Sequence, residues 1–542
     1  MQLTRRDLLQ AGSGAVAAAV AATGSGQTPA ESAVDVCVYG GTASGVLAAV
    51  AAAREGCRVV LVEPSRWLGG MTGGGLVHID WGRREAVGGS TAKLLKDGLN
   101  DPQYRRLFAD LAAEHGIRVV KEHRVQAVDR ANGAIRSITL EHAPPDRFGC
   151  PAERPTARDA ATIAAAVFID CSYEGDLMAR AGVGYTFGRE ATDEYGESLA
   201  GVRPPLARYA IDPYVRPGDP KSGLLPLLQD YVPGPLGSGD KQTMGYGFRW
   251  KFSIKEDRLP IDPPDDYDPR TFELYRRGFL AKANITEGRR MRVLDTYEPA
   301  GGRIYSLGAG NLARALWAPT VYGCNADYPD GDYATRSRIW RFHQDFLRGI
   351  THFLRTDPAA PADQKAKAES HGFEPGIFDD TGGWPHQMYV REARRMKAAY
   401  VLTQRDLEAG TSPEDPVGLA SYGVDDWPYA THPLDGGVAL QGGEFSVLYL
   451  TEQHRGIYAI PYRAIVPRRE ECTNLLVPVC CSASHIAMTS LRMEPVWMIL
   501  GESAGIAAAE AVAARRPVQD LDYATVLRPK LIAAKQRLDR PA

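Results

Sequence analysis

His485, Arg492 and Glu494 share the stretch SASHIAMTSLRMEP. Side chains of these types move protons and hold charge. An imidazole can take the proton of an O–H or N–H group while a hydride leaves the neighbouring carbon, and a guanidinium can hold an oxyanion. His485 is therefore the first candidate base and His432 the second; a histidine bonded to loop backbone is the competing reading for His485. Arg492 reads either as an anchor for a bound ring edge or substrate oxyanion, or as half of an ion pair with Glu494. Arg391 and Arg394 are candidates for orienting an anionic or polyhydroxylated substrate, with Tyr389 and Trp427 as pocket walls. Solvated arginines and core-packed aromatics are the alternatives. Hydride chemistry of this kind needs an acceptor, and the other end of the chain carries residues suited to hold one.

There, VDVCVYGGTASGVLAAVAAAREGCRVVLVE (Val34 to Glu63) reads as strand, glycine turn, alanine-rich helix, second strand and acidic terminus. Gly40, Gly41, Thr42, Ala43, Ser44 and Gly45 form the turn. Unpaired N–H groups at a helix N-terminus can carry a pyrophosphate where no side chain blocks the approach. A carboxylate closing the second strand, Glu63, suits a ribose diol. Thr42 stands where the G-x-G-x-x-G pattern has its middle glycine, and glycines alone would leave an ordinary strand-turn-helix unit as an equal reading. Pro64 then leads into a second bare-backbone run containing Gly69, Gly70 and Met71. That run suits a cofactor that continues beyond its pyrophosphate into a ribityl chain and flavin ring, so the sequence points to FAD.

The elements that must position these residues follow from periodicity and turn signals. Leu107–His115 reads as a helix, and Arg124–Val128 and Ile135–Leu140 as strands joined at Asn132-Gly133. A chain passing Val125 is expected to meet the adenine through its backbone. Residues 141–160 read as a loop, and Ala164–Ile169 as a buried strand whose end, Asp170, is expected at the cofactor; a solvated acidic loop is its alternative. Arg336–Thr356 and Tyr389–Leu402 read as helices, the second carrying Arg391 and Arg394. Asn474–Val479 reads as a strand and Cys480–Pro495 as a polar loop. Val496–Ala514 reads as a helix whose small residues, Gly501 and Ser503 among them, can lie against a flat ring or simply pack.

Composition bounds the rest. The 542 residues exceed one small core, and 44% hydrophobic with 24% charged residues is globular usage. A net charge of −3 gives no nucleic-acid surface. After residue 30 no run is long enough for a membrane span. The eight cysteines contain no C-x-x-C and no metal-ligand pattern stands out, so no metal is expected. Thr4-Arg5-Arg6-Asp7-Leu8-Leu9-Gln10, followed by a mild alanine/glycine stretch, resembles a twin-arginine export motif. It implies engagement of the twin-arginine translocation machinery and a periplasmic or secreted protein; a disordered start is the alternative.

Four blocks carry a wider resemblance: VYGGTASGVLAAVAAAREG with LGGMTGGGL; FIDCSYEGDLMARAG with YGESLAG; YVREARRMKAAYVLT; and LLVPVCCSASHIAMTSLRMEPVWMILGESAG. In these the chain resembles bacterial FAD-dependent oxidoreductases related to the flavoprotein subunit of heterodisulfide reductase. The resemblance implies an α/β fold: a Rossmann-like FAD-binding domain (GR2-type) with a large inserted α+β substrate domain. The expected layout is a signal segment (1–30), FAD-binding parts (31–185 and 441–520), a substrate domain (186–440) and a C-terminal tail (521–542). The iron–sulfur relay of the heterodisulfide enzyme does not carry over, because its cysteine ligands are missing. A Ser-His pair expected after Asp425 is replaced by Asp426-Trp427. The leading expectation is an oxidoreductase that moves a hydride from a small polar metabolite (a sugar, polyol or hydroxy acid) to FAD, with an electron acceptor the sequence does not name. An electron-transfer subunit, or a lyase with structural FAD, are the alternatives.

Overall fold

The computed structural model describes residues 34–95, 99–281, 320–409, 412–443 and 456–540, and the backbone of two further strand pieces at 296–297 and 304–306. The twin-arginine motif lies outside the described residues. Ala33–Ala542 makes one compact unit.

Its centre is a sheet in the order β3 (Arg118–Lys121), β2 (Val59–Glu63), β1 (Val34–Tyr39), β6 (Ala157–Asp170), β5 (Ala134–His142) and β4 (His123–Ala131). The first four pair in parallel, and β5 and β4 continue antiparallel. One long strand joins the two halves. The C-terminal part of β6 pairs with β1, from Val34 with Ala165 to Tyr39 with Asp170, and its N-terminal part pairs with β5. β6 therefore begins inside the stretch read as a loop over residues 141–160; its first four residues, Ala157 to Ala160, are exposed and carry no apolar alternation to mark a strand. The Asn132-Gly133 hairpin forms as expected, both residues having positive φ. Strand Leu475–Leu476 pairs with β6, a much shorter piece than the expected Asn474–Val479.

Helix α1 (Ala43–Arg54) lies on this sheet, buried on every side from Ala43 to Ala52. A helix without a polar face must be covered all round. The last long helix, α6 (Glu494–Ala514), provides much of that cover. A Cβ on Gly501 would stand 2.2 Å from the Ser44 carbonyl oxygen, so glycine is what lets the two backbones meet. α6 is long and apolar enough to cross a membrane, yet 83% of its apolar window is buried inside the protein. Between these elements come α2 (Gly70–Gly74), α3 (Asp101–Glu114) and α4 (Tyr333–Thr356), the last close to its expected bounds.

Two expectations fail. Tyr389–Leu402 is not a helix: Val390 to Met396 is buried at every position, and Arg395–Met396 pairs with Tyr185–Thr186 as a short strand. A segment enclosed on all sides by tertiary contacts has no use for a 3.6-residue period, and packing overrides local propensity. Cys480–Pro495 is not a loop throughout, because His485–Leu491 forms helix α5, capped by Ser484, whose side chain accepts the Ala487 amide. The C-terminal stretch packs back on the core: the Gly89 amide donates to Lys535 O, and Gln536 reaches Glu502 at 2.7 Å.

Candidate active site

The glycine turn sits where β1 and β2 end, the edge at which open α/β sheets bind ligands. Gly40 turns the chain at φ 94°, and a Cβ on Gly45 would fall 1.8 Å from the Gly40 carbonyl oxygen. Thr42, in the middle-glycine position, is the N-cap of α1. Its Oγ1 accepts the Gly45 amide at 3.1 Å and donates to Cys171 O at 2.9 Å. The hydroxyl thus uses one first-turn amide and fastens the turn to the end of β6. The amides of Ala43 and Ser44 belong to the same first turn, whose N–H groups have no intrahelical partner.

Glu63 is buried and turned toward this bend. One carboxylate oxygen accepts the Gly41 amide at 2.6 Å and the other accepts the Ser65 amide at 2.7 Å. Burial raises its pKa above the ordinary value, opposed by the bonds from Ser65 and Gly41. Beyond Pro64, Gly69 forms a parallel bridge with Thr42, and its amide donates to Gly41 O, so the two glycine runs lie side by side. A helix N-terminus, bare backbone on both sides and a carboxylate at the end of β2 form the donor and acceptor set that fits the ADP half of FAD.

The second glycine run is clamped to α6. Glu494 accepts from Thr72 Oγ1 at 2.5 Å and from Tyr173 OH at 2.8 Å, and Tyr173 OH also accepts the Met71 amide at 2.8 Å. Burial lifts the Glu494 carboxyl from 4.5 to about 7, against these hydrogen bonds. The alternative reading of Arg492 as half of an ion pair with Glu494 does not hold; Arg492 pairs with Asp425 at 2.8 Å and donates to Tyr389 OH at 2.8 Å. A small cavity of about 10 Å³ opens here, lined by Met71, Leu76, Tyr389, Arg492, Met493 and Glu494 among others.

Around Tyr389 three buried guanidiniums gather. Those of Arg391 and Arg249 stand 4.5 and 4.7 Å from its ring centre and that of Arg492 5.9 Å; Arg391 also lies 4.1 Å over Trp427. Arg249 anchors the end of the glycine run through the Leu76 and His78 carbonyls. Burial draws the Arg391 guanidinium down to about 9; Tyr389 opposes this, and the like charges of Arg492 and Arg249 add to it. Tyr389, Arg391, Arg492 and Trp427 are thus brought together, joined by Arg249, which no turn, glycine or periodic signal marks in the sequence.

Other candidates go elsewhere. His485 opens α5 fully buried, its Nδ1 2.7 Å from Glu392 and its Nε2 2.5 Å from Tyr429 OH and 3.2 Å from Asp426. Both nitrogens are committed to protein partners, so His485 is a buried pin rather than an open base. His432 bonds Gln441 and the Pro433 carbonyl, away from Arg492. Arg394 pairs with Asp176 and Asp330 instead of facing the Tyr389 cluster. The Val125 amide and carbonyl, expected at the adenine, are taken by the hydroxyls of Tyr39 and Tyr333. Asp170 accepts from Ser172 and from the Met178 amide, bracing the loop beside Gly40; burial raises it to about 6. Gly501 faces the α1 backbone, and Ser503 Oγ donates to Val417 O, so neither presents a polar group to a cofactor. All eight cysteines are free thiols.

Several solved structures align with part of the chain. Thioredoxin reductase of T. acidophilum aligns at 22% identity over 26% of this chain and 35% of its own, with a TM-score of 0.17. THI4 of Thermovibrio ammonificans aligns at 17% identity over 29% and 66%, with 0.21. The aromatic hydroxylase CabE of angucycline biosynthesis aligns at 13% over 30% and 35%, with 0.22. The chain therefore spans about a third of the length of the first of these. No curated protein matches the chain. The family model described as FAD dependent oxidoreductase matches residues 35–531, nearly the whole of the described chain, and the protein belongs to that family.

Proposed function

We propose that this FAD-dependent oxidoreductase removes a hydride from a small polar metabolite (a sugar, polyol or hydroxy acid). The observation that carries the reading is the wall of Tyr389, Arg391, Arg249 and Arg492, which adjoins the glycine run at Met71 and Leu76. When bound, FAD supplies the two-electron acceptor. The α1 N-terminus and Glu63 would hold its ADP half. Thr72, Tyr173 and Glu494 fix the second glycine run, and the arginines hold substrate oxygens beside it. Glu494, buried at the cavity with its pKa near 7, is placed to take the hydroxyl proton, a pKa suited to a base at neutral pH. His485 positions Asp426 and Glu392 behind the arginine wall. We further propose, from the Arg5-Arg6 motif, export by the twin-arginine route to the periplasm or beyond, and, from the four sequence blocks, kinship with the heterodisulfide reductase flavoprotein subunit.

The test is a visible spectrum of the purified protein followed by anaerobic titration with sugars, polyols and hydroxy acids. Bleaching of the flavin bands by at least one class is expected. A yellow protein that none of them bleaches would overturn the dehydrogenation reading.

A further inference from the structure

The buried arginines of this protein fall into two kinds. Arg124 meets Glu141 at 2.6 Å, Arg336 meets Asp176 at 2.8 Å, and Arg395 meets Glu190 at 2.5 Å and Glu392 besides. Each has its counter-charge in place, as a buried structural charge requires. Arg391 and Arg249 differ. Among the described residues neither forms an ion pair with a carboxylate; they reach carbonyl oxygens (Gly245 for Arg391, Leu76 and His78 for Arg249) and aromatic rings, Tyr389 for both and Trp427 for Arg391. The third member, Arg492, has Asp425. The Nε–H of all three is buried without a hydrogen-bond partner, although Arg391 and Arg492 are 1% and Arg249 is 7% exposed. Asp80 and Glu494 line the cavity below them, and Thr72 and Tyr173 hold Glu494.

Uncompensated positive charge in the interior is costly, and among the described residues the other buried arginines have carboxylate partners while Arg391 and Arg249 have none. We propose that the missing partner is the carboxylate of the substrate, gripped by Arg391 together with Arg249 and Arg492 beside Tyr389, so that the metabolite oxidised is a hydroxy acid. A guanidinium fork matches a planar carboxylate with two parallel bonds. This deepens the oxidation reading above and rests on it. In the step implied, the carbinol C–H bond breaks and its electron pair leaves as hydride, for which bound FAD would supply the two-electron acceptor. The O–H proton goes to Glu494, and an oxo acid remains.

The experiment uses the FAD-loaded protein and oxalate as a non-oxidisable probe, followed by calorimetry and by the change in flavin absorbance. Lactate and malate are compared with glycerol and glucose in anaerobic bleaching. Oxalate is expected to bind, and Arg391→Met to weaken it by about ten- to a hundredfold, the usual weight of a charged hydrogen-bonded pair. The same variant is expected to melt no lower than the parent, because it removes an unpaired buried charge; a purely structural arginine would lower the melting temperature. Arg391→Lys keeps the charge without the fork and is expected to fall between the two, which serves if the methionine variant does not fold. Absence of oxalate binding, unchanged binding in both variants, or tighter binding of inorganic phosphate than of oxalate would overturn the proposal. Bleaching by glycerol or glucose without carboxylate binding would sink this inference and leave dehydrogenation standing. Oxalate binding with no bleaching by any compound would leave the carboxylate grip standing and sink the dehydrogenation reading, and with it the hydroxy acid as the compound oxidised.

Discussion

The two ends of the active site are built on opposite plans. The cofactor end is local: Gly40 to Gly45 and Glu63 to Gly70 come from two neighbouring stretches, and the carboxylate of Glu63 already bonds the Gly41 and Ser65 amides. The proposed substrate end is assembled from afar, with Arg249, Tyr389, Arg391, Trp427 and Arg492 drawn from segments without regular secondary structure or at its ends. Buried side-chain atoms without a hydrogen-bond partner occur at both ends, the neutral Ser44 Oγ at the first and the charged Nε–H groups of Arg249, Arg391 and Arg492 at the second. A cradle for an invariant cofactor can be satisfied by its own backbone, whereas a wall for a particular substrate leaves its charge for the ligand to neutralise. Stability and function coincide at the first end and oppose each other at the second.

The largest effect should come from the local end. Gly45→Val places a side chain where even a Cβ would overlap the Gly40 carbonyl, and no rotamer relieves a clash between backbones. A loss of more than about 3 kcal/mol is expected, at the upper end of overpacking, together with loss of flavin, read as the ratio of flavin to protein absorbance. The next effect contrasts two arginines on one segment. Arg395→Met leaves Glu190 and Glu392 buried without their cation and should cost about 3–5 kcal/mol in denaturant unfolding. Arg391, four residues earlier, should show no such loss. Equal destabilisation by the two would erase the distinction between paired and unpaired arginine.

What could be read from the chain divides along the same line. The βαβ unit was legible because its strand, turn, helix and acid follow one another, and each is specified by neighbours; β1, α1 and β2 end within a residue or so of their expected bounds. Glu63 faces the turn for the same local reason. Tyr389–Leu402 misled because its apolar and charged residues happen to recur at helical spacing, while tertiary enclosure holds it extended. His485 stood out as a lone histidine in a polar stretch, but the carboxylates that occupy it, Glu392 and Asp426, come from distant segments. Arg249 gave no local signal, and only the folded chain shows it beside Arg391.

Glu494 offers a pH test of intermediate size. Its carboxyl keeps a proton up to about 7 in the folded protein, against 4.5 when exposed. Between those values the folded state binds more protons than the unfolded state, so this group's contribution favours folding below pH 4.5 and fades as pH rises to 7. At about 1.4 kcal/mol per unit the full swing is on the order of 3 kcal/mol. Glu494→Gln has no such proton to lose, so its stability relative to the parent should rise between pH 5 and pH 8. Parallel denaturant midpoints for parent and variant across that range would show that the burial of Glu494 does not set its proton affinity.

The smallest effect restores the glycine that the turn lacks. Thr42→Gly removes the hydroxyl that accepts the Gly45 amide and donates to Cys171 O. Glycine is a tolerable N-cap, so the cap itself costs only a few tenths of a kcal/mol, and the lost bond to Cys171 adds about 1 kcal/mol. In exchange the Gly45 amide becomes available, and Ser44 is left as the one hydroxyl side chain of the bend. FAD affinity should therefore rise by about two- to fivefold, the effect of one further amide on an anion in a partly screened site, while the apoprotein melts slightly lower. Isothermal titration of apoprotein with FAD measures the first quantity and thermal unfolding the second. Weaker FAD binding in the glycine variant would mean that the tie from Thr42 to Cys171, which sets the shape of the turn, outweighs the amide it consumes. The cofactor end would then depend on a contact with β6 that no local motif contains, and the two ends of the site would differ less than their sequences suggest.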